Sequence, residues 1–203
     1  FLVNHSTGVK KLWYFRAADI GYYGDINATP SFNSGTYSTN IVSTADHPVE
    51  RLFDRWYFGN GRYLGSAEDD GAGGLTVDAT VLDFDADYNV KTVSNDGTFV
   101  VVGVTKTRTT DTLSHGDTKI IFWDQNSSSW EREYIIPDAA IDSIRRVGSH
   151  MEAVTTRGVF LFTFNSPPTP ALPYLPATHV PDYQYPTHHA ADVLGEAMLF
   201  GGT

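Results

Sequence analysis

Cysteine is absent from the 203 residues, which excludes disulfides, thiolate metal sites, iron–sulfur clusters and cysteine nucleophiles. Long apolar runs are missing too. Nothing approaches the roughly 18 residues of a membrane-spanning helix, and Phe1-Leu2-Val3 turns polar too soon to read as a signal peptide. Positive charge is scarce: 14 Lys and Arg face 24 Asp and Glu, giving a formal net charge of −10. That balance disfavours a sequence-independent nucleic-acid binder, which works by neutralising phosphates. Helical periodicity is the last absence. Its best candidate, Pro137 to Arg146 with Ile141 and Ile144 at i, i+3, suits a strand after a proline turn equally well. What is present, 41% hydrophobic and 13% aromatic residues, is enough to bury a core and excludes disorder.

Strand signals dominate the chain. β-Branched and aromatic runs bounded by Gly, Asn, Asp and Ser occur at Phe99–Thr105, Lys119–Asp124 and Gly158–Phe164, so the fold class expected is all-β. A glycine followed at the third place by an apolar residue recurs at Gly61, Gly97, Gly148 and Gly195, with spacings of 36, 51 and 47 residues. The later spacings bracket the period of roughly 40 to 50 residues at which four-stranded units repeat. One unit reads in full: Thr92-Val93, a turn at Ser94–Gly97, then strands at Phe99–Thr105, Lys119–Asp124 and Trp130–Ile136. The next repeats it with Ala140–Arg145, a turn at Val147–Ser149, Met151–Thr155, a tight turn at Thr156–Gly158 and Val159–Phe164.

This phrase, from Ile121-Phe122-Trp123-Asp124 and Trp130 through Asp142 to Phe162, resembles the blade-to-blade rhythm of β-propellers and covers roughly Tyr88 to Thr203. The Gly-His and Trp-Asp positions of WD repeats are not present in register, because Trp123-Asp124 occurs once. Irregular units, long Ser/Thr/Asn loops and absent cysteine are also similar to structural propellers of bacteriophage tails, such as nozzle-type proteins. The resemblance implies an array of antiparallel blades within one all-β region: residues 1–48 as a partial blade with a loop, 49–90, 91–137 and 138–190 as blades, and 191–203 as the start of another. An unclosed array exposes sheet edges, so completion by further residues or by a second chain is expected.

Two segments interrupt the rhythm. Asp25 to Pro48 is rich in Ser, Thr and Asn and reads as a long loop. Asn165 to Ala190 holds seven of the ten prolines, reads as stiff and extended, and is unsuited to a central strand. It either wraps over its own blade or docks on a neighbouring subunit through Tyr174, Tyr183 and Tyr185, the interface candidates.

Candidate chemistry is sparse. Asp83, Asp85 and Asp87 alternate as oxygen ligands do in calcium loops, but Tyr88 and Ser94 stand where such a loop needs glycine and glutamate. The same alternation describes the solvent face of an outer strand. Asp69, Asp70 and Asp83 supply carboxylates for a glycosidase pair, as any acidic chain does. His179, His188 and His189 have no metal spacing. A Gly-x-Ser-x-Gly elbow and a phosphate loop are missing, and the glycines around Gly61 miss the dinucleotide fingerprint by one residue. Trp13, Trp56, Trp123 and Trp130 suit sugar stacking or interface anchoring, although strand packing uses the same residues.

The expectation is a non-enzymatic structural module with no cofactor, whose partners are other structural subunits, in a virion tail or another extracellular assembly. The alternative is a propeller that binds or hydrolyses carbohydrate.

Overall fold

The computed structural model describes residues 1–16, 19–24, 32–35, 40–106, 116–129, 132–148, 150–163, 177–180, 190–194 and 197–201. These residues are all-β, in eighteen strands with no helix. The first sheet holds β1 (Leu2–Asn4), β2 (Lys10–Arg16), β3 (Asp19–Tyr23) and β4 (Phe32–Gly35). The second holds β5 (Val49–Leu52), β6 (Arg55–Asn60), β7 (Tyr63–Asp69) and β8 (Leu75–Asp83). The third holds β9 (Tyr88–Asn95), β10 (Val100–Lys106), β11 (Thr118–Trp123) and β12 (Arg132–Ile136). The fourth holds β13 (Ile141–Val147), β14 (His150–Thr155), β15 (Gly158–Thr163) and β16 (Ala177–Val180), and the last pairs β17 (Ala190–Leu194) with β18 (Ala197–Gly201). In every sheet the strands are antiparallel and lie in chain order, so each sheet is a meander.

The apparent helix candidate is therefore strand β13. Within the Ser/Thr/Asn-rich stretch the four-residue β4 adds an edge to the first sheet, and within the proline-rich stretch β16 does so for the fourth. Pro176 and Pro181 flank β16, and a short edge strand is the one place where such neighbours cost no ladder hydrogen bonds.

The sheets stack face on face. The first puts Val3, Trp13 and Ile20 against Phe58, Ala67, Leu75 and Ala79 of the second. Through its other face the second sheet puts Leu52, Tyr57 and Leu64 against Val100, Val102, Val104 and Ile121 of the third. The third in turn meets Ile144, Met151, Phe160 and Phe162 of the fourth with Val101, Ile120 and Phe122. This two-sided burial explains why Val100–Thr105 is apolar almost without alternation: neither side of β10 meets water. Initial strands line one side of the stack, since β9 lies beside β5, β13 beside β9, and β17 beside β13.

Buried hydroxyls tie the third sheet to the fourth. Thr105 Oγ1 accepts from Ile141 N (3.2 Å), Thr92 Oγ1 accepts from Ile144 N (3.3 Å), and Thr118 Oγ1 donates to the Ala139 carbonyl (2.6 Å). Burial without such partners is costly, so these threonines fix the register of one sheet on the next. No described helix is long and apolar enough to cross a membrane.

The turn joining the first strand to the second recurs with a left-handed residue, at Gly8 (φ 85°), Phe53 (φ 56°), Gly97 (φ 97°) and Gly148 (φ 55°). Those positions are 44 to 51 residues apart. Gly61, by contrast, turns β6 into β7, one connection later, which is why its spacing to Gly97 was short.

Candidate functional site

A cleft of about 250 Å³ opens where the first two sheets meet, lined by Leu2, Val3, Asn4, Ser6, Arg51, Asp54, Trp56 and Asp69. The β1–β2 turn supplies one wall. His5 and Gly8 close it through His5 N donating to Val9 O (2.8 Å) and Gly8 N to His5 O (2.8 Å). The β5–β6 hairpin supplies the other wall, and Asp69 closes the floor at the end of β7.

Beneath the cleft lies a buried polar chain. His5, whose side chain has 0% exposure, places Nδ1 2.7 Å from Asp69 Oδ1, and Trp13 Nε1 donates to His5 Nε2 at 3.2 Å. An indole nitrogen only donates, so Nε2 is the acceptor and the imidazole proton sits on Nδ1, facing the carboxylate. Asp69 also accepts from the backbone amide of Ser6 (2.6 Å) and of Gly71 (3.3 Å). Burial works to raise its pKa, but the hydrogen bonds from Ser6, His5 and Gly71 outweigh it and hold the carboxyl well below the usual range.

This geometry decides the chemistry. A His–Asp pair assists a nucleophile only through a free Nε2, and here the indole of Trp13 occupies that nitrogen. A glycosidase pair needs one carboxyl with a raised pKa as its acid, a role the lowered pKa of Asp69 does not suit. Asp70 sits in the following turn, accepting from Ala72 N (2.7 Å) and Gly74 N (2.8 Å). Asp83 pairs with Tyr63 at the opposite end of β7 from Asp69, six residues or about 20 Å along an extended strand. The three carboxylates do not share a cleft.

The calcium candidates share one connection but not one centre. Asp83 pairs with Arg62 (3.0 Å) and Asp87 with Lys106 (3.4 Å), while Asp85 takes a left-handed backbone (φ 71°) and donates its amide to Asp83 (3.2 Å). Among the described residues no three His, Asp or Glu side chains group to hold a metal. Tyr174, Tyr183, Tyr185, Trp130, His188 and His189 lie outside the described residues. His179 falls in β16 opposite Phe160. Trp123 is core, with Nε1 donating to Ser127 O (3.0 Å) and its ring edge-on to Tyr57.

Trp56 is the tryptophan that reaches the cleft. Phe1 packs against it at 5.1 Å, and the Arg51 guanidinium lies 5.7 Å from its ring centre. Arg51 Nε donates to Phe53 O (2.9 Å), and its Nη2 lies 3.6 Å from Asp54. His5 and Arg51 were missed by motif reasoning because neither belongs to a spaced motif. The recurrence of the left-handed turn, followed back from Gly97 to Phe53 and Gly8, is the signal that leads to both.

The fold and site thus define an all-β stack of meander sheets with a polar-aromatic cleft at its first junction. No protein-family model matches the chain, and no curated protein matches it.

Proposed function

We propose that the chain is a non-enzymatic structural module, a propeller-like stack whose sheets act as blades and whose exposed loops and faces meet other subunits of a larger assembly. The observation that carries this reading is the succession of four four-stranded meanders, each packed through its apolar face on the next, with initial strands side by side. Such repetition builds surface and rigidity. At the cleft the histidine beneath is capped by Trp13, and the Asp69 carboxylate at the floor is engaged by His5 and the Ser6 amide. The similarity to bacteriophage tail propellers supplies a setting, a virion tail. Native mass spectrometry on material from the natural source tests the reading: the chain is expected in a complex several times heavier than 22.4 kDa. A free monomer there overturns it.

A second reading, carbohydrate binding without hydrolysis, rests on the cleft itself, where Trp56, Arg51, Asn4 and Asp69 combine a stacking ring with hydrogen-bonding groups. Saturable quenching of tryptophan fluorescence by a glycan, abolished in Trp56→Ala, would favour it. Absence of binding across a glycan array would remove it.

A further inference from the structure

The turn from first strand to second takes its left-handed residue from glycine in three sheets, at Gly8, Gly97 and Gly148, and from Phe53 (φ 56°) in the second sheet. A bulky side chain strains that backbone where glycine does not. Its ring is 60% exposed, the most exposed large apolar group among the described residues. Strain of this kind collects at functional sites, where something other than stability retains it. The neighbours of Phe53 point the same way. Arg51 and Asp54 flank it in the turn, their charged groups 3.6 Å apart and their side chains 50% and 107% exposed, a weak surface pair with capacity for other partners. Both also line the cleft between the first two sheets, together with Leu2, Val3 and Trp56, whereas Phe53 does not. One hairpin therefore carries an exposed ring at its tip and forms the wall of a partly apolar cleft beside it.

We propose that two copies of the chain associate about a two-fold axis, each inserting Phe53 into the cleft of the other. Three observations select that occupant. The cleft, about 250 Å³ with Leu2, Val3 and Trp56 in its lining, has room for a phenyl ring, since an apolar cavity of about 150 Å³ already holds benzene. Ring and cleft lie side by side on one surface, so a two-fold axis running between them exchanges both at once, which is the self-complementary contact of an isologous dimer. The flanking charges are self-complementary too: the axis brings the two turns together, where Arg51 of each copy faces Asp54 of the other. Burial of Phe53 in a partner recovers apolar surface that the single chain leaves in water, and an aromatic anchor seated in a pocket dominates contacts of this kind. This inference rests on the structural-module reading and names its partner.

Analytical ultracentrifugation of the purified full chain, from low to high micromolar, tests it alongside Phe53→Asn, which removes the ring, and Asn4→Trp, which fills the cleft from an exposed position in its lining. Wild type is expected to pass from monomer to dimer, and each variant to raise the dissociation constant by about tenfold or more. An equimolar mixture of the two variants is the decisive sample. One intact ring then meets one intact cleft, so the mixture should associate more tightly than either variant alone. Thermal midpoints no lower than wild type for Phe53→Asn separate a lost contact from a lost fold. Hydroxyl-radical footprinting gives a readout that does not depend on the variants: Phe53 in the wild type should lose reactivity as concentration rises. A wild type that stays monomeric, a Phe53→Asn variant that associates as wild type does, or a mixture no tighter than its components would each overturn the inference. A glycan that binds the cleft of a persistently monomeric chain overturns it in favour of the carbohydrate reading. A chain that is monomeric alone yet belongs to a heavy native complex fails here and leaves the structural-module reading standing.

Discussion

Phe53 holds a left-handed backbone, φ 56°, with its side chain 60% exposed, at the turn where the other sheets use glycine. A bulky residue there costs about 1–2 kcal/mol in backbone sterics, so Phe53→Asn should raise the denaturation midpoint by the equivalent of about 0.5–1 kcal/mol. A lower midpoint would show that the ring stabilises the hairpin more than its backbone strains it. Asp69 makes the opposite case, a residue whose partners depend on it. Asp69→Ala leaves the buried Nδ1–H of His5 without an acceptor, at an expected cost of about 1–3 kcal/mol. Because the folded pKa lies below the unfolded one, the contribution is complete above the unfolded pKa and is lost as pH falls through the folded one. Acid titration of stability below about pH 4 should accordingly be shallower in Asp69→Asn than in the wild type. Equal slopes would remove Asp69 as a source of the acid dependence.

Among the elements, each of the first two sheets holds a close aromatic–glycine pair, Tyr14 on Gly21 and Phe58 on Gly65. Gly65→Ala forces a methyl into the ring of Phe58, which is fully buried and cannot retreat, so a loss of about 1–3 kcal/mol is expected from overpacking. Gly21→Ala meets Tyr14, whose hydroxyl is buried, and a loss of similar size is expected. Urea melts of the two variants check both, and an unchanged midpoint in either would show that its ring turns aside at little cost. The strands themselves were legible where the sequence is richest: Phe99–Thr105 became β10, Lys119–Asp124 became β11, and Val159–Phe164 became β15. β4 and β16 were not, because four-residue edge strands within polar or proline-rich stretches show too little alternation to register. The first two sheets were harder to phase than the third and fourth, because Phe53 hides a turn that glycine marks elsewhere. The cleft was illegible for a related reason: its residues come from four strands, β1, β5, β6 and β7, whose juxtaposition depends on which turn begins each sheet.

For the whole molecule, two-sided burial predicts a gradient of protection. Amide hydrogen exchange should be slowest in β10 and β11, which are covered on both faces, and faster in β1 and β2, whose outer face carries the exposed Leu2–Leu12 pair. Uniform protection across the sheets would mean that the stack opens as a single unit. Ring contacts such as Phe1 on Trp56 and Phe15 on Phe58 show that the first sheet is nonetheless a full partner of the second.

The chain-order arrangement of strands bears on how the molecule is made. Among the described residues no strand hydrogen-bonds to any but its nearest neighbours in the chain, and each of the second, third and fourth sheets packs on the one completed before it. A nascent polypeptide leaving the ribosome therefore never has to store an unpaired strand until some distant segment has been translated, a delay that slows other β proteins and exposes them to aggregation. Each sheet finishes while the next is still being synthesised, and the face it presents is the template on which that next sheet condenses.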